Sequence, residues 1–293
     1  MKTFKFSLVL IIVFSMTASA QTSEWTKGPY LQFNAGYGIS ISPQNMSDYP
    51  FYFYNYTEVF NETEDYEKYE LVDVSLGKGF AAGGAFGYMF SKHIGAELGF
   101  SYLYGTKTTA EITYRYGTEY RYLMESNLYS RMFRLNPSII VASGLEKVNP
   151  YARFGMVFGF GKALLEVDDS DTYLGETDTY HSKFEMKNGV GIGVTAGVGA
   201  MFSLNDQMSL FTEINMISMS YSPKKGEIVE LSYNGEDHLS ELSTSEKEVE
   251  FVKEIIYDYE NPDPYDEDKP SEELQFKIPY SSIGLNVGWR FSF

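Results

Sequence analysis

The sequence predicts an all-β fold: an eight-stranded antiparallel up-and-down β-barrel that crosses a membrane, with short turns at one end and long loops at the other. Three observations predict it. Eight segments alternate strictly with a period of two, the connections between them alternate short and long, and the composition couples 25 Tyr, 22 Phe and 26 Gly with no Cys. Aromatic residues favour pleated surfaces, and small residues suit the crowded inside of a narrow barrel. A chain without cysteine has no thiol catalysis, disulfide or Cys-type zinc site.

The first twenty residues place Lys2 and Lys5 before an apolar run from Phe6 to Phe14, followed by Ala18-Ser19-Ala20. Charge, apolar core and small-residue site in that order read as a cleaved secretory signal, 1–20, with the mature chain starting near Gln21 and forming one barrel domain over 21–293. Strands are expected near 29–42, 76–90, 94–106, 128–142, 150–163, 188–203, 208–222 and 280–293. In the last of these Ile283, Leu285, Val287, Trp289, Phe291 and Phe293 alternate with Ser282, Gly284, Asn286, Gly288, Arg290 and Ser292. In the sixth, Val190, Ile192, Val194 and Val198 alternate with Gly191, Gly193, Thr195, Gly197 and Gly199. Each segment reaches the roughly 9–11 residues that a tilted strand needs to cross a bilayer.

Short turns fall at Ser91-Lys92-His93, Ser143 to Asn149 and Leu204 to Gln207, and long connections at 43–75, 107–127, 164–187 and 223–279. No segment after the first carries eighteen consecutive apolar residues, so a membrane crossing must use strands whose backbone groups are all paired, which requires a closed barrel. A soluble sandwich or lipocalin-like barrel is the alternative that alternation alone admits. The second face decides between them: it is Gly, Ser, Ala and Asn rather than the Lys, Glu and Thr of a solvated sheet.

On these residues, and on the closing stretch Gly288-Trp289-Arg290-Phe291-Ser292-Phe293, the chain resembles the eight-stranded outer-membrane barrels of the OmpA-transmembrane and OmpX kind and the porin-like barrels of Bacteroidetes. The resemblance covers nearly all of 28–293. It implies an integral outer-membrane location with both termini periplasmic, lipids and lipopolysaccharide as surroundings, and Trp289, Phe291 and Phe293 as the assembly signal read by the outer-membrane insertion machinery. No peptidoglycan-binding domain follows the barrel, so a cell-wall tether is not implied.

The charge of −17 sits in two loops. Residues 43–72 hold seven acids and one Lys, and 223–279 hold seventeen acids and six Lys, which together account for all of it. A basic nucleic-acid footprint is absent. Asp168, Asp169 and Asp171, or Asp263, Asp266, Glu267 and Asp268, offer oxygens to a calcium ion, but neither run has the glycine turn and closing Glu of a dedicated calcium loop, and solvated loop acids are the plainer reading. No cofactor or metal site is expected. Alternation at Ile228 to Tyr233 and Val249 to Tyr257 suggests an external hairpin, kept out of lipid by Glu230, Lys253 and Glu254.

Candidate chemistry is sparse. His181 and Ser182 are adjacent on an extended segment and so point to opposite faces, which disfavours a shared proton and an enzyme. The small-residue face carries a more coherent set: Glu97, Arg134, Arg153, Glu213 and Arg290. These are expected to meet inside the barrel and pair, since unpaired charges there are costly. The alternative for any one of them is a small water pocket. Arg131 falls on the lipid side near an outer strand end, within reach of a lipopolysaccharide phosphate. Tyr102, Tyr104 and Tyr221 are expected in an upper aromatic girdle, Tyr151 and Trp289 in a lower one. Three functions remain open: a structural or surface-interaction barrel with a plugged lumen, which is favoured, a conduit for small solutes or hydrophobic ligands, and a lipid A-modifying enzyme.

Overall fold

The computed structural model describes residues 27–46, 53–256 and 266–293. The expected signal segment 1–20 lies outside them, as do Asp263 and Tyr257. Eight long strands carry the architecture: β1 Gly28–Ser40, β2 Gly79–Met89, β3 Ile94–Gly105, β4 Tyr120–Ala142, β5 Val148–Tyr173, β6 Val190–Ser203, β7 Met208–Ser222 and β8 Ser282–Ser292. Each pairs antiparallel with two neighbours, in chain order from β1 to β8, and β8 returns to β1 from Tyr30 opposite Ser292 to Ser40 opposite Ser282. The pairing is therefore a cycle.

The alternation of the sequence sorts directly into two surfaces. Leu31, Phe33, Phe86, Phe100, Phe133, Phe154, Val194, Ile214 and Leu285 all point outward and are exposed. On six of the eight strands the outward face bears no charge at all. On the other two, β4 and β5, outward charge begins at Arg131 and Lys162, which stand opposite each other in register, and continues from there toward the long connections. A belt of exposed apolar side chains on this scale, free of charge around the ring, is a surface made for hydrocarbon rather than water.

The strand count exceeds the expected eight. Among the described residues one sheet holds seventeen strands, and Gln44–Asn45 and Asp73–Val74 form a separate two-stranded ribbon. The nine additional strands of the large sheet lie in what reads as loops. Segment 107–127 is largely a hairpin, Thr108–Tyr116 turning back into the start of β4, and 164–187 is the end of β5 turning into Glu176–Lys187. The left-handed backbone at Gly117 (φ 59°) and at Leu174-Gly175 (φ 52° and 89°) closes both turns. In these extensions Thr and charged residues share one face and a few apolar residues, Ala110, Ile112 and Tyr114 or Tyr180, Phe184 and Met186, the other, a weaker contrast than that of the lower barrel. The hairpin expected from Ile228–Tyr233 and Val249–Tyr257 is not formed as such: Lys225–Glu227 pairs with Glu248–Glu250, while Ile228–Tyr233 pairs with the strand Glu176–Lys187.

Inside, the buried apolar residues form two groups. One lies toward the short turns: Tyr30, Met89, Ile140, Ala142, Tyr151, Met201 and Phe211. The other lies toward the long connections, where Leu103, Leu128, Met132, Ile217, Met219 and Tyr221 of the strands meet Met46, Phe53, Val74, Leu76, Phe251, Ile278 and Tyr280 of the connections.

Candidate functional site

Between the two apolar groups lies a charged layer. Arg153 reaches across from β5 and donates from Nη1 to Glu97 Oε1 of β3 at 2.7 Å, and from Nη2 to Glu213 Oε1 of β7. Each carboxylate takes a second donor on its other oxygen: Tyr30 Oη to Glu97 Oε2 at 3.0 Å, and Tyr151 Oη to Glu213 Oε2 at 3.0 Å. Arg290 of β8 lays its guanidinium on the Tyr30 ring, 3.3 Å from the centroid, and points Nη1 at the Met201 sulfur at 3.2 Å. The layer contains two carboxylates and two guanidiniums and is neutral. Charges this deep are tolerable only when paired and hydrogen-bonded, and here both carboxylates are.

Glycine makes room for the layer. A Cβ on Gly197 would stand 2.8 Å from Glu213 Cδ, and one on Gly199 would stand 2.8 Å from the Tyr151 ring. The bare inward face of β6 is thus the space that the side chains of its two neighbours occupy.

Of the five residues expected to pair, Glu97, Arg153 and Glu213 do, and Arg290 stacks beside them. Arg134 does not join. Its register partners are Ser101 and Gly159, whereas Glu97 faces Ser138 and Arg153 faces Gly197 and Ile140, so Arg134 sits a level further out. Eight residues from the inner end of β4, it was the outlier in depth. Two girdle expectations are also corrected: Tyr102, Tyr104 and Trp289 are exposed, but Tyr221 and Tyr151 are buried. Residues two apart share a face, which puts Tyr151 with Arg153 and Tyr221 with Met219, both inward. Of the two hydroxyl partners of the carboxylates, Tyr30 was not singled out from the sequence and Tyr151 was placed in the girdle, although each lies an even number of residues from an inward residue.

The terminal aromatics lie at the seam. Trp289 and Phe293 are exposed on the outer surface, Phe291 packs edge to face on Phe33 at 6.5 Å, and the Phe293 amide donates to Pro29 O at 3.1 Å. Arg131 does not extend freely into lipid. Its guanidinium covers the Tyr104 ring at 3.4 Å and donates to Gly105 O and Ser130 O at 2.9 and 2.7 Å. No carboxylate pairs with it among the described residues. With Lys162 and Lys187 it rims an outward cleft of about 660 Å³ floored by Tyr102, Phe133, Phe160 and Val190.

Further out, His181 Nδ1 lies 2.7 Å from Asp168 Oδ1 and its Nε2 lies 3.5 Å from Glu230 Oε2, with Lys183 on Glu230 at 2.8 Å. The hydrogen bond to Asp168 leads the causes that hold the imidazole above its ordinary value of 6.5. Ser182 faces Val167 in register and takes no part. Among the described residues no three His, Asp or Glu side chains converge as a metal site requires.

A closed sheet with an uncharged apolar belt outside and an ionic layer inside whose carboxylates are both paired is the arrangement of an integral membrane β-barrel. The family comparison agrees: the chain belongs to the family described as outer membrane protein beta-barrel domain, whose model matches residues 6–245. No curated protein matches it.

Two outcomes are expected from this geometry. Arg153→Met leaves two buried carboxylates facing each other and is expected to cost about 3–5 kcal/mol in urea unfolding from vesicles. Combined with Glu213→Gln, the loss should fall short of the sum by more than about 0.5 kcal/mol; additive losses would refute a coupled layer. His181, with its pKa raised in the folded state, contributes stability that is full below about pH 6.5 and is lost as pH rises through the folded value. Protection of the 176–187 hairpin from hydrogen exchange should therefore decline across that window in the wild type and stay flat in His181→Gln.

Proposed function

We propose that the protein is an eight-stranded, up-and-down transmembrane barrel with a closed interior, serving a structural or surface-interaction role rather than conduction or catalysis. The observation that carries this reading is the stacking of closures along one axis. The ionic layer spans the lower lumen from β3 through Arg153 to β7, and the apolar group formed with Phe53, Leu76, Phe251 and Tyr280 occupies the end beneath the long connections. Eight strands leave an interior only wide enough for side chains to fill, so two such layers are ample. The cycle of eight strands with alternating connections supports kinship with the OmpA-transmembrane and OmpX kind and with the porin-like barrels of Bacteroidetes. The acidic hairpins then face outward and both termini lie in the periplasm. The engagement of His181 by two carboxylates, with Ser182 on the other face, favours a structural role for that cluster over hydrolysis.

The cleft at Arg131 favours contact with lipopolysaccharide. Its cations lie just outside a row of aromatic and aliphatic side chains, Tyr102, Phe133, Phe160 and Val190, that share one register across four strands. That order, charge above hydrocarbon, matches a phosphorylated amphiphile with its phosphate outward. Lys162 and Lys187 already pair with Glu185 and Glu227, which leaves Arg131 as the principal phosphate ligand.

Planar-bilayer recording of the refolded protein is expected to give no steady channels, and uniform, long-lived conductance steps would establish the conduit reading instead. Arg131→Ala is expected to weaken binding of lipopolysaccharide micelles about tenfold, the worth of one charged hydrogen bond. Lys162→Ala should weaken it less; unchanged binding by Arg131→Ala would reject the phosphate contact.

A further inference from the structure

Arg134 is buried, 5% exposed, at the wall of an internal cavity of about 50 Å³. No carboxylate pairs with it among the described residues, and its Nε is buried without a hydrogen-bond partner. The acids of the ionic layer are committed elsewhere, each holding one oxygen to Arg153 and the other to a tyrosine. Glu97 faces Ser138, four residues along β4 from Arg134, which is about 13 Å of strand. A guanidinium does not deprotonate in a protein, so burial cannot be relieved by loss of the charge. An uncompensated ion in such a place is costly, and an anion beside it is the remaining means of compensation.

The rest of the cavity wall suits an anion. Asn34, Asn136, Asn215 and Asn286 line it with Arg134 and Arg153, and no carboxylate lines it. The Asn136 Oδ1 is another buried atom without a partner, and the same amide turned over would present its NH₂ there. The guanidinium and the NH₂ groups of the side-chain amides can donate N–H to a negative ion from several sides of the ring. The volume corresponds to a few water-sized spheres, room for a halide with a water or two and too little for a sugar or a nucleotide. Leu103 and Ile217 of the outer apolar group border the cavity on one side and Arg153 of the ionic layer on the other.

We infer that the barrel holds a monovalent anion of halide size between Arg134 and the asparagines of the inner wall. The inference rests on the geometry of this cavity and goes beyond the proposed surface role; it does not require that the barrel fail to conduct. The full mature chain is refolded in sodium chloride, sodium bromide or sodium gluconate at equal ionic strength, and unfolding is followed by heat-dependent mobility. Wild type is expected to unfold at a higher temperature in the halides than in gluconate, by about 3 °C per tenfold rise in halide beyond its dissociation constant. Arg134→Lys should keep that dependence and Arg134→Met should lose it. Identical midpoints in halide and gluconate for wild type, or the same halide dependence in Arg134→Met, would overturn the site. Should Arg134→Met not refold, crystals of the wild type grown in bromide decide the question. An anomalous peak beside the Arg134 guanidinium is expected, and bromide ordered elsewhere only would refute it.

Discussion

The ladder between β1 and β8, running from Tyr30 opposite Ser292 to Ser40 opposite Ser282, removes the last free edge of the long-strand sheet. Hydrocarbon offers no partner to an unpaired N–H or C=O, at a cost of several kcal/mol per group, so a strand pair left open there would not be tolerated. Everything else follows from that seam. Once the eight long strands close, every second side chain must face lipid and every other one must fit a narrow interior, and a substitution of either kind on the wrong face is penalised. The Phe291 ring on Phe33 and the Phe293 amide on Pro29 O sit at this closure, so the aromatic end of the chain also fastens the ring.

The narrow interior explains the character of what it contains. Arg153 is long enough to reach carboxylates on two other strands, and the glycines of β6 supply the clearance. Replacement of such a layer by apolar side chains is often neutral or stabilising in soluble proteins, so its presence is weak evidence for stability as such. Its geometric effect is firmer. One residue on β5 ties β3 to β7 through the lumen, which fixes the position of strands that are not neighbours in the ring.

Outside, the charge is divided by height. The outward face is uncharged up to Arg131 and Lys162, cationic there, and strongly acidic beyond, in the hairpins built from 53–71 and 225–252. A single change of sign across a short distance is what an interface between hydrocarbon, phosphate and water demands. Some acids beyond the barrel belt are engaged by neighbouring cations: Glu166 with Lys107, Glu227 with Lys187, Glu230 with Lys183, Glu250 with Lys225. Such exposed pairs are worth little individually, and they set which hairpins lie side by side more than how stable they are.

The sequence alone determined the two-faced strands and the faces of nearly all their residues, because a period of two is a local property and one bulky face against one small face leaves no second assignment. It also placed Glu97, Arg153, Glu213 and Arg290 inside together. It missed the strands of 108–116 and 176–187, where Ala110, Ile112 and Tyr114, or Tyr180, Phe184 and Met186, mark one face but the flanking Thr and charged residues blur the contrast. It misassigned Tyr151 and Tyr221, where the preference of tyrosine for interfaces was allowed to outweigh parity. Only the tertiary structure decided that Arg134 stands apart from the carboxylates, because depth in a barrel depends on the register between tilted strands, which pairing fixes and sequence position does not. Only it decided that Phe53, Leu76, Phe251 and Tyr280 of the acidic connections turn inward to form a core with the strands, because a few apolar residues within a charged run acquire a direction only when there is a barrel mouth for them to enter.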